Sequence, residues 1–218
     1  RTLRAAGVNM NLAPVADVAR PGAALEDERR TYGRSAPLVA RLAAAFANGL
    51  HDGGVLATAK HFPGFGAASV NTDDAPARIS TPLAELRAVD EAPFARLVRD
   101  GVDAVMLSTA VYPALDARPA AFSRRWVTGE LRERLGFGGV AMSDDLGTPA
   151  VAAYGSHARR AVRAVRAGLD MPLFSSSYRA SAQAAEGLLA AARRGELDER
   201  SLRAAVGRVL RLRAKLPR

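Results

Sequence analysis

Short apolar runs alternate with amphipathic segments along the whole of this chain of 218 residues. The apolar runs begin near positions 7, 55, 103, 139 and 169, and the segments between them carry apolar residues at helical spacing. Strands that alternate with helices form a parallel sheet, either as a doubly wound layer or as a (β/α)8 barrel. The methionines Met10, Met106, Met142 and Met171 all fall within apolar runs, which predicts strands buried on both faces.

The positions of the polar residues favour the barrel over the doubly wound layer. Polar candidates follow four of the five predicted strands at their C-terminal ends, where barrel enzymes place their active sites. No G-x-G-x-x-G motif follows the first strand, so the fingerprint of a dinucleotide-binding fold is missing. Five strands are too few to close a barrel, which usually takes about 250 residues. We therefore expect an α/β fold, a TIM-like (β/α)8 barrel lacking its N-terminal strands, as a single domain over residues 1–218.

The helices are predicted from apolar spacing and from the glycines that follow it. They are expected over Pro37–Leu50, Thr81–Asp100, Arg124–Leu135 and Ser156–Ala167, with two more between Ala180 and Leu216 on either side of Gly195.

The composition excludes several classes of function. The net charge of +9 raises the question of nucleic-acid binding, but the arginines are spread along alanine-rich amphipathic segments and aromatic residues make up only 6%. No apolar run approaches the roughly 18 residues of a membrane span. Cysteine is absent, which excludes disulfides and thiolate metal sites. We expect no nucleic-acid partner, no membrane span and a monomer, and the composition fits either a cytoplasmic or a secreted protein.

One stretch, VLATAKHFPGFGAASVNTDD from Val55 to Asp74, has the form of an active-site strand and loop. A short apolar run delivers Lys60 and His61 side by side and then breaks into a loop rich in glycine and proline. Only Lys60 and Lys215 are lysines among 31 basic residues, so a lysine at this strand end indicates a need for a compact charge. The alternative is a lysine whose stem lies along apolar surface at the strand end.

Two pairs of carboxylates are candidates for chemistry. Asp144 and Asp145 follow a buried strand, where a carboxylate can serve as nucleophile, base or metal ligand, or can cap the next helix. Asp73 and Asp74 lie on the loop after His61 and are either ordinary loop acids or one half of an acid/nucleophile pair for glycoside cleavage.

Other kinds of catalytic site have weaker support. The three histidines match no metal-ligand spacing, and His51 and His157 are expected at the surface, so no metal and no cofactor is predicted. A Ser-His-Asp triad lacks support, because the sequence contains no G-x-S-x-G elbow. A Schiff-base lyase that uses Lys60 stays open, because a strand-end lysine in a barrel can attack a carbonyl substrate.

Taken together, these residues resemble glycoside hydrolase family 3, especially its β-N-acetylglucosaminidase branch. The matching stretches are GVNMNLAPVADV, RTYG from Arg30, KHFPGFG from Lys60, and AAFSRRWVTGELRERLGFGGVAMSDDL from Ala120 to Leu146. The resemblance covers nearly the whole chain, and KHFPG followed by SDDL is far more specific than either piece alone. It implies a (β/α)8-like catalytic domain, of which this chain would lack the first strands and one substrate-binding loop.

The resemblance also implies roles for particular residues. Asp144, the first acid of the SDD motif, falls on the family's catalytic nucleophile. Asp17, Arg30, Lys60 and His61 fall on residues that hold sugar hydroxyls in the first subsite. The mechanism implied is a retaining one, with a covalent glycosyl-aspartate that water breaks down.

The chain departs from the family at the loop that carries the acid/base group. The family continues KHFPGHG with an Asp-Ser-His triplet whose histidine is the acid/base, and this triplet falls on Asn71–Thr72–Asp73. Either Asp73 is the acid, with its pKa raised by partial burial and by Asp144, or the acid is lost and the protein binds sugar without cleaving it. The expected function is a hydrolase for terminal β-linked N-acetylglucosamine, as in peptidoglycan fragments, with a β-glucoside as the nearest competing substrate.

Overall fold

The computed structural model describes residues 1–216, and its strands form one parallel sheet in chain order. The strands are β1 (Met10–Asn11), β2 (Leu56–Phe62), β3 (Ala104–Leu107), β4 (Val140–Asp145) and β5 (Met171–Leu173). Each pairs in parallel with the next along the chain. The predicted α/β class is confirmed, because the sheet curls into a five-stranded half of a TIM-like barrel.

Helices follow the strands as expected. The α-helices are α1 (Thr2–Ala5), α2 (Ala24–Asp27), α3 (Ala36–Asp52), α4 (Leu83–Glu85), α5 (Ala92–Arg99), α6 (His157–Ala167), α7 (Tyr178–Arg193) and α8 (Glu199–Ala214). Two π-helical segments cover Leu86–Asp90 and Arg125–Arg134, and 3₁₀ turns cover Ala120–Phe122 and Pro149–Tyr154. No helix within residues 1–216 is long and apolar enough to cross a membrane.

One predicted helix is divided into three pieces. The continuous helix expected over Thr81–Asp100 is instead α4, a π-helical turn and α5. Pro93 lies in the first turn of α5, where its missing N–H costs nothing, so the sequence favours a new helix start at this point. Gly101 follows with a φ of +83°, which ends the helix as predicted.

The burial of the methionines follows the position of their strands in the sheet. Met106 and Met142, in β3 and β4, are 2% and 3% exposed. Met10 and Met171 lie in the short edge strands β1 and β5 and are only partly buried. The prediction of strands buried on both faces is therefore correct for the centre of the sheet and wrong for its edges.

The buried carboxylate of Asp103, just before β3, connects the sheet to the C-terminal ends of α3 and α8. Asp103 accepts hydrogen bonds from His51 Nε2 (2.7 Å), the Ala57 N–H (3.0 Å) and Lys215 Nζ (2.7 Å). Burial alone would raise the pKa of Asp103, but these hydrogen bonds lower it below its usual value. His51 is exposed, as its place at a helix end predicts, and it also reaches this buried carboxylate.

The loop after β2 packs so closely that two of its glycines have no room for a side chain. A Cβ on Gly66 would meet Val18 O at 1.9 Å, and one on Gly64 would meet Asp90 Cβ at 2.6 Å. The Tyr112 hydroxyl donates to Gly64 O (3.0 Å), and the Arg20 N–H donates to Gly66 O (3.0 Å). The KHFPGFG loop is thus held against the backbone beneath it.

Gly66→Ala is expected to destabilise the protein by about 1–3 kcal/mol or more, because the Val18 carbonyl cannot move without breaking the loop's packing. Gly49→Ala in α3 is the matched control: nothing lies within 4 Å of its added Cβ, so we expect a stabilisation of about 0.5–1 kcal/mol. Urea unfolding midpoints would measure both changes. Equal midpoints for Gly66→Ala and the wild type would contradict the close packing.

Candidate active site

The C-terminal ends of the strands open into one cavity of about 190 Å³. Five of the six predicted site residues line it: Arg30, Lys60, His61, Asp73 and Asp144. They arrive there from the loops after β1 and β2 and from the ends of β2 and β4. Because parallel strands all end at one edge, residues far apart in sequence meet in one place.

The two acids of the SDD motif have different environments. Asp145 is 7% exposed, and its carboxylate accepts from the Gly147 N–H (2.6 Å) and from the Ser175 hydroxyl (2.6 Å). Asp144 has a side chain 22% exposed and accepts at Oδ1 only from the N–H of the next residue (2.9 Å). Asp145 therefore organises the loops, and Asp144 presents a free carboxylate oxygen to the cavity.

His61 is held between two carboxylates. Its Nδ1 lies 2.8 Å from Asp17 Oδ2, and its Nε2 lies 3.8 Å from Asp144 Oδ2. Since the carboxylate of Asp17 accepts, Nδ1 carries a proton and His61 turns Nε2 towards the cavity. The ring is 5% exposed, so this orientation is fixed by the interior and not by solvent.

Asp17 is the predicted site residue that does not line the cavity. It is fully buried, and its carboxylate also accepts from the N–H groups of His61 (3.2 Å) and Phe65 (2.6 Å). The role of Asp17 at a sugar hydroxyl stays a prediction. Its contacts fix the ring of His61 and the start of the KHFPGFG loop.

Lys60 lies beside the candidate nucleophile. Burial lowers the pKa of Lys60, and the charge of Asp144 opposes that change. A lysine in this setting offers N–H donors to a hydroxyl of a bound sugar.

Asp73 stands at the mouth of the cavity, where it is exposed. Partial burial, and after it the charge of Asp144, raise the pKa of Asp73 above its usual value. The turn that carries Asp73 is held by Asn71, whose Oδ1 accepts from the Asp73 N–H (3.0 Å). Asn71 Nδ2 donates in turn to Glu28 Oε1 (2.9 Å).

The sequence predictions missed three residues of this site. Ser175 and Glu28 match no catalytic motif, and the sequence marks Asn71 only as a replaced position in the family's triplet. Glu28 and Asn71 are 43 positions apart, and no spacing rule connects them. The acidic run Glu26–Glu28, which ends two positions before Arg30, was the one available signal, because acids near a sugar-binding arginine can orient it.

Comparison with known proteins gives the family. The sequence model described as "Glycosyl hydrolase family 3 N terminal domain" matches residues 1–212. The chain belongs to glycoside hydrolase family 3. The resemblance drawn from KHFPG and SDDL is thereby confirmed.

Relatives in this family are similar along most of the chain. An uncharacterized secreted glycosyl hydrolase of Arthroderma benhamiae is 39% identical over 98% of this chain and 62% of its own length. A β-hexosaminidase of Xanthomonas oryzae pv. oryzae is 39% identical over 78% of this chain and 51% of its own length. This chain therefore spans about half to two thirds of the length of these relatives.

Solved structures of the family have the same architecture. A β-N-acetylglucosaminidase of glycoside hydrolase family 3 from Paenibacillus sp. superposes with a TM-score of 0.94 at 38% identity, covering 98% of this chain and 41% of the other. A β-N-acetylhexosaminidase from Beutenbergia cavernae superposes with a TM-score of 0.88 at 36% identity, covering 98% of this chain and 64% of the other.

A larger, open groove of about 780 Å³ runs between α6 and α7. Six arginines line it, and none of the six predicted site residues does. The carboxylates a glycoside hydrolase needs are gathered in the smaller cavity, which is therefore the candidate active site. Within residues 1–216, no cluster of three or more histidine, aspartate or glutamate side chains could hold a metal ion.

Proposed function

We propose that this chain is the catalytic domain of a retaining glycosidase that removes terminal β-linked N-acetylglucosamine. The observation that carries the proposal is the free carboxylate of Asp144 in a cavity with Lys60 and His61 on one side and Asp73 at the mouth. The sugar is inferred from the names of the Xanthomonas and Paenibacillus relatives. We infer peptidoglycan fragments as a source of such sugars.

The proposed reaction has two displacements. Asp144 attacks the anomeric carbon while Asp73 gives its proton to the departing glycosidic oxygen, so the C–O bond breaks and a glycosyl-aspartate forms. Asp73, now a carboxylate, takes a proton from water, which attacks the same carbon and releases Asp144. Arg30, Lys60 and His61 hold sugar hydroxyls, which keeps the anomeric carbon in place for attack by Asp144.

A second function, sugar binding without cleavage, is favoured by one observation. Asp73 stands where the family's acid/base histidine falls, and it is more exposed than His61 or Asp144. An exposed carboxylate gives up its proton more readily than a buried one, which weakens it as an acid near neutral pH.

Turnover of an activated aryl β-N-acetylglucosaminide by the full-length protein would separate these functions. We expect turnover, and we expect it to exceed turnover of the aryl β-glucoside. Calorimetric binding of N-acetylglucosamine with no release of the aryl group from either sugar would establish the binding protein instead. Faster turnover of the glucoside would still support a glycosidase, but one whose substrate is the β-glucoside.

A further inference from the structure

A single carboxylate bridges two parts of the candidate site. Glu28 follows α2 as its C-cap residue, and its side chain is about one third exposed. Its Oε2 accepts from Arg30 Nη1 (2.8 Å), and its Oε1 accepts from Asn71 Nδ2 (2.9 Å). Arg30 lines the cavity as a predicted sugar ligand, while Asn71 belongs to the turn that carries Asp73. One side chain thus contacts both the substrate-binding arginine and the acid-bearing turn.

Both polar atoms of the Asn71 side-chain amide make hydrogen bonds. Its oxygen accepts from the Asp73 N–H (3.0 Å), and its nitrogen donates to Glu28. The Asn71 carbonyl also accepts from the N–H groups of Asp74 (3.0 Å) and Ala75 (3.2 Å), which closes the turn. An aspartate at position 71 could accept from Asp73 but has no proton to donate to Glu28. The residue type at position 71 is therefore matched to the carboxylate it faces.

We propose that Glu28 is a positioning residue that sets the turn of Asp73 through Asn71 while it orients Arg30. The proposal rests on the proposed function, since it concerns how the acid is placed against Asp144 and a bound sugar. The family's triplet has an aspartate where this chain has Asn71, so the chain differs at the position of the acid-bearing turn that donates to Glu28. The asparagine and Glu28 form a compatible pair, and an aspartate with Glu28 does not.

Electrostatics supports the matched pair. The hydrogen bond from Arg30 lowers the pKa of Glu28, and the one from Asn71 adds to this, so Glu28 stays ionised at neutral pH. In Asn71→Asp, a carboxylate oxygen would replace the Nδ2 donor, which lies 2.9 Å from Glu28 Oε1. Like charges this close repel or force one group to take up a proton. The turn would then move away from Glu28 and carry Asp73 with it.

The test is a double-mutant cycle of Asn71→Asp and Glu28→Gln in the full-length protein. Alone, Asn71→Asp is expected to lower kcat/KM for a β-linked N-acetylglucosamine disaccharide by about 10-fold, a typical coupling for residues in contact. The activated aryl substrate should be nearly unaffected, because its leaving group needs little help from an acid. Merely structural damage would lower both rates together.

The double variant carries the predicted rescue. A glutamine at position 28 can accept from Arg30 and donate to an aspartate at position 71. The kcat/KM of the double variant for the disaccharide should therefore return close to the wild-type value. Glu26→Gln is the matched control, because Glu26 is bound by Arg34 and the Gly22 N–H and does not touch Asn71. Combined with Asn71→Asp it should rescue nothing. A double variant no better than Asn71→Asp alone would overturn the proposal.

Amide hydrogen exchange over residues 67–76 provides a readout that needs no turnover. Asn71→Asp should speed exchange in this segment, and the double variant should slow it again. If the wild type cleaves no sugar but the exchange cycle behaves as described, the proposed function fails and the Glu28 contact stands. If exchange in the four proteins is the same, the positioning role fails whatever the activity shows.

Discussion

Asp144→Asn in the full-length protein is expected to abolish turnover of an aryl β-N-acetylglucosaminide, with kcat falling on the order of 10⁴–10⁶-fold, as when other enzymes lose their nucleophile. The reason lies in the cavity: one carboxylate oxygen of Asp144 accepts the N–H of Asp145 and the other faces the cavity, whereas the carboxylate of Asp145 is held by Gly147 and Ser175. An asparagine keeps the size of the side chain but removes the nucleophile. Release of the aryl group, followed by absorbance, measures the effect.

Asp145→Asn is the control for Asp144→Asn because it changes the neighbouring acid in the same way. Asp145 binds the Gly147 N–H and the Ser175 hydroxyl, and an asparagine can still accept from the first and donate to the second. We expect a lower melting temperature with turnover reduced far less than in Asp144→Asn. A larger loss of turnover in Asp145→Asn than in Asp144→Asn would assign the nucleophile to Asp145 instead.

The chemistry of the nucleophile can be examined further with azide. In Asp144→Gly, azide is small enough to occupy the space of the lost carboxylate and attack the anomeric carbon directly. One displacement inverts the centre, so the product should be the α-glycosyl azide. If azide restores no turnover, or if the β-azide forms, Asp144 is not the nucleophile.

The position of the site was predictable from the sequence, because its residues lie at the ends of strands. Lys60, His61 and Asp144 end apolar runs, and parallel strands bring such ends to one edge. Asp144 and Asp145 could not be told apart in this way. Their roles depend on Gly147 and Ser175, and the second of these contacts spans 30 positions.

The supporting contacts were not predictable, because they join segments with no common periodicity. Asp17 reaches His61 across 44 positions, and Glu28 reaches Asn71 across 43. Motif comparison predicts a role for Asp17 at the sugar, but it does not reveal that Asp17 is fully buried and bound to His61 Nδ1. Side-chain burial and hydrogen bonding follow from packing in three dimensions, which strand and helix patterns alone do not specify.

Asp73→Asn is expected to separate natural from activated substrates. For a β-linked N-acetylglucosamine disaccharide, kcat/KM should fall by about 10²–10⁴-fold, the usual contribution of a general acid. An aryl sugar with a good leaving group needs no proton to depart, so its first step should stay fast while water attack slows for want of a base. The glycosyl-enzyme should then accumulate, which a burst of aryl release and the mass of the intact protein would both show.

The pH dependence follows from the raised pKa of Asp73. The acid must be protonated to act, so disaccharide kcat/KM should fall as the pH rises through that pKa. Partial burial and the charge of Asp144 place this fall above the pH of an ordinary aspartate. In Asp73→Asn the fall should disappear from the profile, because the titrating group is gone. A fall that persists unchanged in the variant would assign it to another residue.

Azide also tests Asp73, with the opposite stereochemical outcome. In Asp73→Gly, Asp144 still forms the glycosyl-enzyme, and azide attacks that intermediate without needing a base. Two displacements retain the configuration, so the product should be the β-glycosyl azide where Asp144→Gly gives the α-azide. A wild-type rate on the disaccharide in Asp73→Asn, or no rescue by azide in Asp73→Gly, would remove Asp73 from the mechanism. The paired azide products assign each carboxylate by the step it performs, because only loss of the nucleophile inverts the sugar.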